Sequence, residues 1–227
     1  MSELAQPTTE YGVVESEPPE ILARNLASAG HLLASATAFF FLCFLFAYFY
    51  LRSLNNAHLW RPKHVDPSTT YGTVIVALIV ASALLVRLGL ADHRADRRDQ
   101  WRLKGLAALA AAIAALVFQV VAWAELPFGP ADGGFASVYV GWTAFLFLFV
   151  LMTVYWLETT LATSLRYRSV PFAGTPQPGE ASGDPHRTVH DIHNPLSLVR
   201  AELVALSFYW TFLAGICVLA WIVLFLI

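Results

Sequence analysis

The sequence predicts an all-α integral membrane bundle of five transmembrane helices, with the N-terminus cytoplasmic and the C-terminus outside. Three observations predict it. Of 227 residues, 57% are hydrophobic and 13% charged, about half the roughly 25% charge of a soluble domain. Five windows, at 32–51, 67–86, 105–124, 133–157 and 203–227, hold no Asp, Glu, Lys, Arg or His, and each reaches the about 20 residues that cross a hydrocarbon core. The basic residues are unequally shared between the two sides those windows define. Arg24, Arg87, Arg94, Arg97, Arg98, Arg102, Lys104, Arg166, Arg168, Arg187 and Arg200 lie on one side, and Arg52, Arg61 and Lys63 on the other; the richer side stays in the cytoplasm.

Taken in order, residues 1–27 form an acidic segment in which Glu3, Glu10, Glu15, Glu17 and Glu20 precede Arg24. The positive start of a cleaved signal peptide is missing, so the chain is expected to keep its N-terminus. The transmembrane domain follows over 28–227. Its first span, about 31–53, is rich in Phe. The second, about 67–91, is interrupted by Arg87, whose long side chain is expected to snorkel to the nearer interface. The third, about 103–125, carries Ala107, Ala111 and Ala115 four apart, the small-residue spacing that lets helix backbones approach, and is expected to be the central helix. The fourth, about 135–165, and the first carry Phe39, Phe40, Phe41, Phe44, Phe46, Phe49, Phe145, Phe147 and Phe149 nearly all round, surfaces that meet lipid or another apolar protein. The cytoplasmic loop 167–197, with its Pro, Gly and Ser, cannot bury a core. The fifth span, about 198–227, ends the chain.

The composition excludes several functions. A net charge of -2 gives no basic surface for nucleic acid. No Gly-rich phosphate loop, nucleophile elbow or zincin pair is present, so no catalytic residue is assigned. A haem or copper centre inside the bilayer needs imidazole, thiolate or thioether ligands. All seven histidines fall outside the windows, with His31 at the mouth of the first span and His93 in a loop, and the windows hold only Met152, Cys43 and Cys217. The chain is therefore expected to carry no cofactor of its own. His186, His190 and His193 stand at helical spacing and are weak candidates for zinc; in a polar loop beside Arg187 they read equally as solvated or partner-facing residues. Glu158 closes the fourth span and Glu202 opens the fifth, either as interfacial carboxylates touching water, Arg166 and Arg200, or as functional groups. Gln119 is the one long amide deep in a span and is expected to bond a neighbouring helix. A small transporter or channel using Gln119, Glu158 and Glu202 is one reading; a five-helix membrane enzyme or metal-binding assembly factor using His186, His190 and His193 is another.

Several motifs resemble subunit III of the haem-copper terminal oxidases, the cytochrome c oxidase type, in its short five-helix bacterial form. Phe46-Ala47-Tyr48-Phe49-Tyr50-Leu51-Arg52 followed by Trp60-Arg61-Pro62 is similar to the family's aromatic-Leu-Arg ending and Trp-Pro loop. Phe118-Gln119 resembles its Phe-Gln element. Gly134-Phe135-Ala136-Ser137-Val138-Tyr139 and Thr143-Ala144-Phe145 resemble the start of its fourth helix, and Tyr209-Trp210-Thr211-Phe212 its Tyr-Trp-His-Phe. The chain departs from the family at Ala36-Thr37, where a Glu is usual, at Thr143-Ala144-Phe145-Leu146, where Thr-Gly-x-His is usual, and at Thr211 and Ala214. The resemblance implies a divergent accessory subunit of the bacterial inner membrane. It would pack against catalytic subunit I, and subunit II, which hold haem and copper. It would bind phospholipids in a cleft between helices; Arg52, Trp60, Gln119, Thr143, Tyr209 and Trp210 are the matched positions and candidate functional or interface residues. A relative attached to a nitric oxide reductase is the alternative the departures imply.

Overall fold

A computed structural model describes residues 19–54, 60–62, 65–95, 97–166 and 195–227. The chain forms α1 (Pro19–Ser53), α2 (Thr69–Arg94), α3 (Arg98–Ala124), α4 (Gly134–Arg166) and α5 (Pro195–Trp221), and α5 ends in a π-helical turn, Ile222–Leu226. All five helices are long and apolar enough to cross a membrane, and no strand occurs among the described residues. The five expected spans are all present. The first begins earlier than expected, at Pro19 rather than near residue 31, so the end of the acidic segment is helical. Proline suits a first turn, where its missing N–H has no intrahelical partner to lose. The fifth likewise starts at Pro195, inside the expected loop.

The helices close into a ring in which α3 lies between α2 and α4, α4 reaches α1, and α5 packs against α1, α2 and α4. The last helix, not the third, is therefore central. Its buried face carries Leu203, Leu206, Tyr209, Trp210, Leu213 and Cys217.

The α2–α3 hairpin shows why the third helix packs otherwise than its alanine spacing implies. The buried positions of α2 include Ile75, Ile79, Ser82, Val86, Gly89 and His93, and those of α3 are Trp101, Arg102, Gly105, Ala108, Ala112 and Ala115. Leaving out Arg102 of α3, and the flanking Ala83, Leu90 and Asp92 of α2, both sets step alternately by four and three residues. That is a 3.5-residue period, the pattern of left-handed packing, whereas small residues four apart suit the right-handed crossing. Ala115 belongs to this face, but Ala107 is exposed and Ala111 only half-buried. Close approach is real here: a Cβ on Gly89 would lie 2.7 Å from the Trp101 ring. His93, expected in a loop, lies buried in the last turn of α2 with its ring edge toward Trp101.

Outer surfaces are apolar. Phe39 is 74% exposed, Phe46 70% and Met152 71%, but the expected all-round Phe surface is only partly outward: Phe40, Phe41 and Phe44 of α1 turn inward onto Trp142, Phe145 and Phe149 of α4. Cys43 is on this outer surface and Cys217 is buried.

Candidate functional site

Hydroxyl groups inside apolar helices cannot be satisfied by water, so each turns to its own backbone or to a neighbouring helix. In this bundle they meet tryptophan and tyrosine. The Trp210 indole N–H of α5 donates to Ser82 Oγ of α2 at 3.0 Å, and Ser82 Oγ donates to the Ala108 carbonyl of α3 at 2.8 Å. One serine thus joins three helices. Beside it, the Tyr209 hydroxyl lies 3.1 Å from Thr37 Oγ1 of α1, which also donates to Leu33 O at 2.7 Å. Tyr209 and Trp210, neighbours in sequence on the central helix, therefore hold α1 on one side and the α2–α3 hairpin on the other. All four side chains are buried to 2% exposure or less.

The same pairing recurs. Trp101 Nε1 of α3 donates to Ser164 Oγ of α4 at 3.2 Å, Trp123 Nε1 of α3 to Thr143 Oγ1 of α4 at 3.1 Å, and Trp221 Nε1 of α5 to Thr73 Oγ1 of α2 at 3.1 Å. Thr143 turns its own hydroxyl to Tyr139 O at 2.8 Å.

Next to Thr143 a cavity of about 50 Å³ opens among α2, α3, α4 and α5. Its walls include Gln119, Tyr139, Thr143, Leu146, Cys217 and Trp221. The Gln119 amide nitrogen is buried and finds no hydrogen-bond partner there, contrary to the expected bond to a neighbouring helix. The Trp142 indole N–H, in a fully buried side chain, is likewise without a partner. The volume is room for a few water molecules, and the lining is mainly apolar, with the Gln119 amide and the Tyr139 and Thr143 hydroxyls as its polar groups.

At one end of the bundle Trp60 seats the loop before α2. Its ring meets Tyr48 edge-on at 5.1 Å and Phe135 at 5.9 Å, and its carbonyl accepts Phe135 N–H at 2.9 Å. A Cβ on Gly134 would stand 2.9 Å from the Trp60 ring, so the start of α4 needs that glycine to close over the indole. Arg61 lies 4.4 Å over the Phe135 ring and pairs with Asp66 at 2.7 Å. Arg52, at the end of α1, donates to the Ile227 carbonyl at 3.0 Å.

The opposite end holds a polar knot that was not singled out from the sequence. Asp92, 2% exposed, receives Arg97 at 2.6 Å and also Lys104. Arg102, buried in the first turns of α3, donates to Ser164 O at 2.8 Å and to Asp99. These bonds fasten the α2–α3 turn onto α4. Their sequence signal was the density of charge between 92 and 104, which read only as a topology marker.

Of the two membrane-border carboxylates, Glu158 faces outward on α4, while Glu202 on α5 is half-buried. His186, His190 and His193 lie outside the described residues, and no group of three metal-ligating side chains occurs among those described. No protein-family model matches this chain, and no curated protein matches it.

Proposed function

We propose that this chain is an accessory, subunit III-like component of a respiratory haem-copper oxidase in the bacterial inner membrane. In this reading its N-terminus is cytoplasmic, and it stabilises catalytic subunit I, which with subunit II holds the haem and copper. The observation that carries the reading is where the resembling motifs fall. Trp60, Phe135, Tyr139, Thr143, Tyr209 and Trp210 are all buried to 8% exposure or less, and the bonds and ring contacts described above make them the residues that hold the helices together. These inward motif residues do the packing work of a scaffold subunit, while Phe46, Tyr50 and Arg52 of the same motifs lie on the outer surface. The apolar outer faces of α1 and α4 support the same reading, since a partner's membrane surface and lipid present the same chemistry to them.

Purification of a tagged chain in mild detergent tests it. A haem-bearing partner, visible in the absorption spectrum, is the expected result; a colourless monomer overturns it. The same spectrum separates an oxidase from a nitric oxide reductase partner.

One observation favours a second reading, a small transporter: the cavity beside Gln119 and Thr143 lies within the spans. Its volume of about 50 Å³ limits any cargo to a few atoms. Vesicles containing this chain alone decide it, because transport requires flux with no partner present.

A further inference from the structure

The cavity beside Gln119 lies to one side of the three-helix joint at Ser82. On α2 its walls run from Gly72 to Ile79, and on α5 from Cys217 to Phe225. Ser82 stands about 4.5 Å beyond Ile79 by helix rise, where it meets the Trp210 indole and the Ala108 carbonyl. The polar groups of the cavity come from two helices. Gln119 of α3 brings an amide nitrogen that is buried and has no partner among the described residues. Tyr139 and Thr143 of α4 are four residues apart, which sets both on one face of that helix. Thr143 Oγ1 donates to Tyr139 O at 2.8 Å and accepts the Trp123 N–H at 3.1 Å. A hydroxyl oxygen accepts twice, so one acceptor position is left. The Trp221 N–H is committed to Thr73 Oγ1, and the other walls are apolar apart from the Cys217 thiol.

We propose that this cavity is an internal hydration site, holding a small cluster of water molecules that joins the Gln119 amide of α3 to the Tyr139 and Thr143 hydroxyls of α4. Its volume of about 50 Å³ is several times the roughly 10–15 Å³ that one water needs. The hydrogen bonds balance: one water accepts a Gln119 N–H and donates to Thr143 Oγ1, and the Tyr139 hydroxyl donates to a second water and accepts from the first. An amide N–H without an acceptor inside a bilayer carries its whole desolvation cost, whereas immobilising a bridging water costs less. A purely apolar cavity of this size stays dry; three converging polar groups make this one wet. Trp142 marks the contrast. Its indole N–H also lacks a partner, but Trp142 is not among the cavity walls, and the Phe41 and Phe44 rings pack against it. The cluster thus supplies, through water, the link to a neighbouring helix that Gln119 does not make directly.

The site lies wholly within this chain and does not depend on the accessory-subunit reading. Radiolytic hydroxyl-radical labelling of the full chain in detergent, read by mass spectrometry, tests it, because radicals formed from a held water modify the side chains beside it. Tyr139 and Cys217, 4% and 3% exposed, are expected to be modified several-fold more than Tyr48 and Trp142, which are 1% and 0% exposed and outside the cavity walls. Glutathione in the buffer, too large to enter the cavity, is expected to suppress labelling at the protein surface and to spare Tyr139 and Cys217. Gln119→Met keeps the side-chain length and removes the amide, and is expected to bring both residues down to the level of Tyr48 and Trp142. Parity of the two pairs in the unmodified chain overturns the proposal and shows a dry cavity. Equal suppression by glutathione overturns it too, since bulk solvent then enters freely, as does unchanged labelling in Gln119→Met. If that variant does not fold, Tyr139→Phe takes its place, with the loss of labelling read at Cys217.

Discussion

Ser82 sits between two bonds of opposite direction, accepting from Trp210 and donating to Ala108, and this makes its removal unlike the removal of its neighbours. Ser82→Ala leaves the Trp210 N–H buried with no acceptor, a desolvation cost of about 1–3 kcal/mol. Tyr209→Phe keeps the ring volume and leaves Thr37 still bonded to Leu33 O, so its cost is expected near the roughly 0.6 kcal/mol average for bonds between helices in membranes. Unfolding of the two variants in mixed detergent, followed by circular dichroism, should rank Ser82→Ala as the more destabilised; the reverse order would show that the indole finds another acceptor. Tyr209 and Trp210 could be picked out beforehand only through the resemblance of Tyr209-Trp210-Thr211-Phe212 to the oxidase-subunit motif. Ser82 could not, since a lone hydroxyl in a hydrophobic run bonds its own backbone or a distant helix with the same local sequence. Gln119 shows the same limit from the other direction, for its amide marks an unusual depth but the sequence does not reveal that it borders a cavity.

At the level of a helix, α3 separates two kinds of pattern. Its apolar length was plain from residues 105–124, but its facing side was not, because alanines are so dense that several registers offer small residues. The side chosen is settled by its partner: Trp101 fits over Gly89, and Gly105 admits Leu161, whose Cδ1 would be 3.0 Å from an added Cβ. Those contacts lock the 3.5-residue period and turn Ala107 outward. Ala112→Leu, at a fully buried position, is expected to cost about 1–3 kcal/mol through overpacking, while Ala107→Leu should leave thermal stability in detergent unchanged. Equal effects at both positions would show that the buried side of α3 lies elsewhere. Helix ends were the other weak point. Pro19 and Pro195 begin α1 and α5 within segments whose polarity suggested loops, because a helix already paid for by its apolar portion extends outward through polar residues at little cost.

For the whole molecule, a cytoplasmic N-terminus is the orientation expected from eleven basic residues on one side and three on the other, and labelling tests it. In a background carrying Cys43→Ser and Cys217→Ala, Ser182→Cys should react with an impermeant maleimide only in inside-out vesicles, and Ala57→Cys only in intact cells; the opposite pattern reverses the topology. The five-helix architecture was legible since each apolar window is long enough to leave few alternatives, whereas the neighbour relations were not, as hydropathy carries no information on which faces meet. Those relations have a temporal side. The helix that gathers α1, α2 and α4 is made after all of them, and α1 has its main contacts with α4 and α5 rather than with α2. At roughly 5–20 residues per second of synthesis, α1 must wait in the bilayer for several seconds while the α2–α3 hairpin is already complete. A nascent chain stopped before Pro195 is thus an arch without its keystone: limited proteolysis should find the α2–α3 hairpin protected and α1, held by α4 alone, cut more readily than in the full chain.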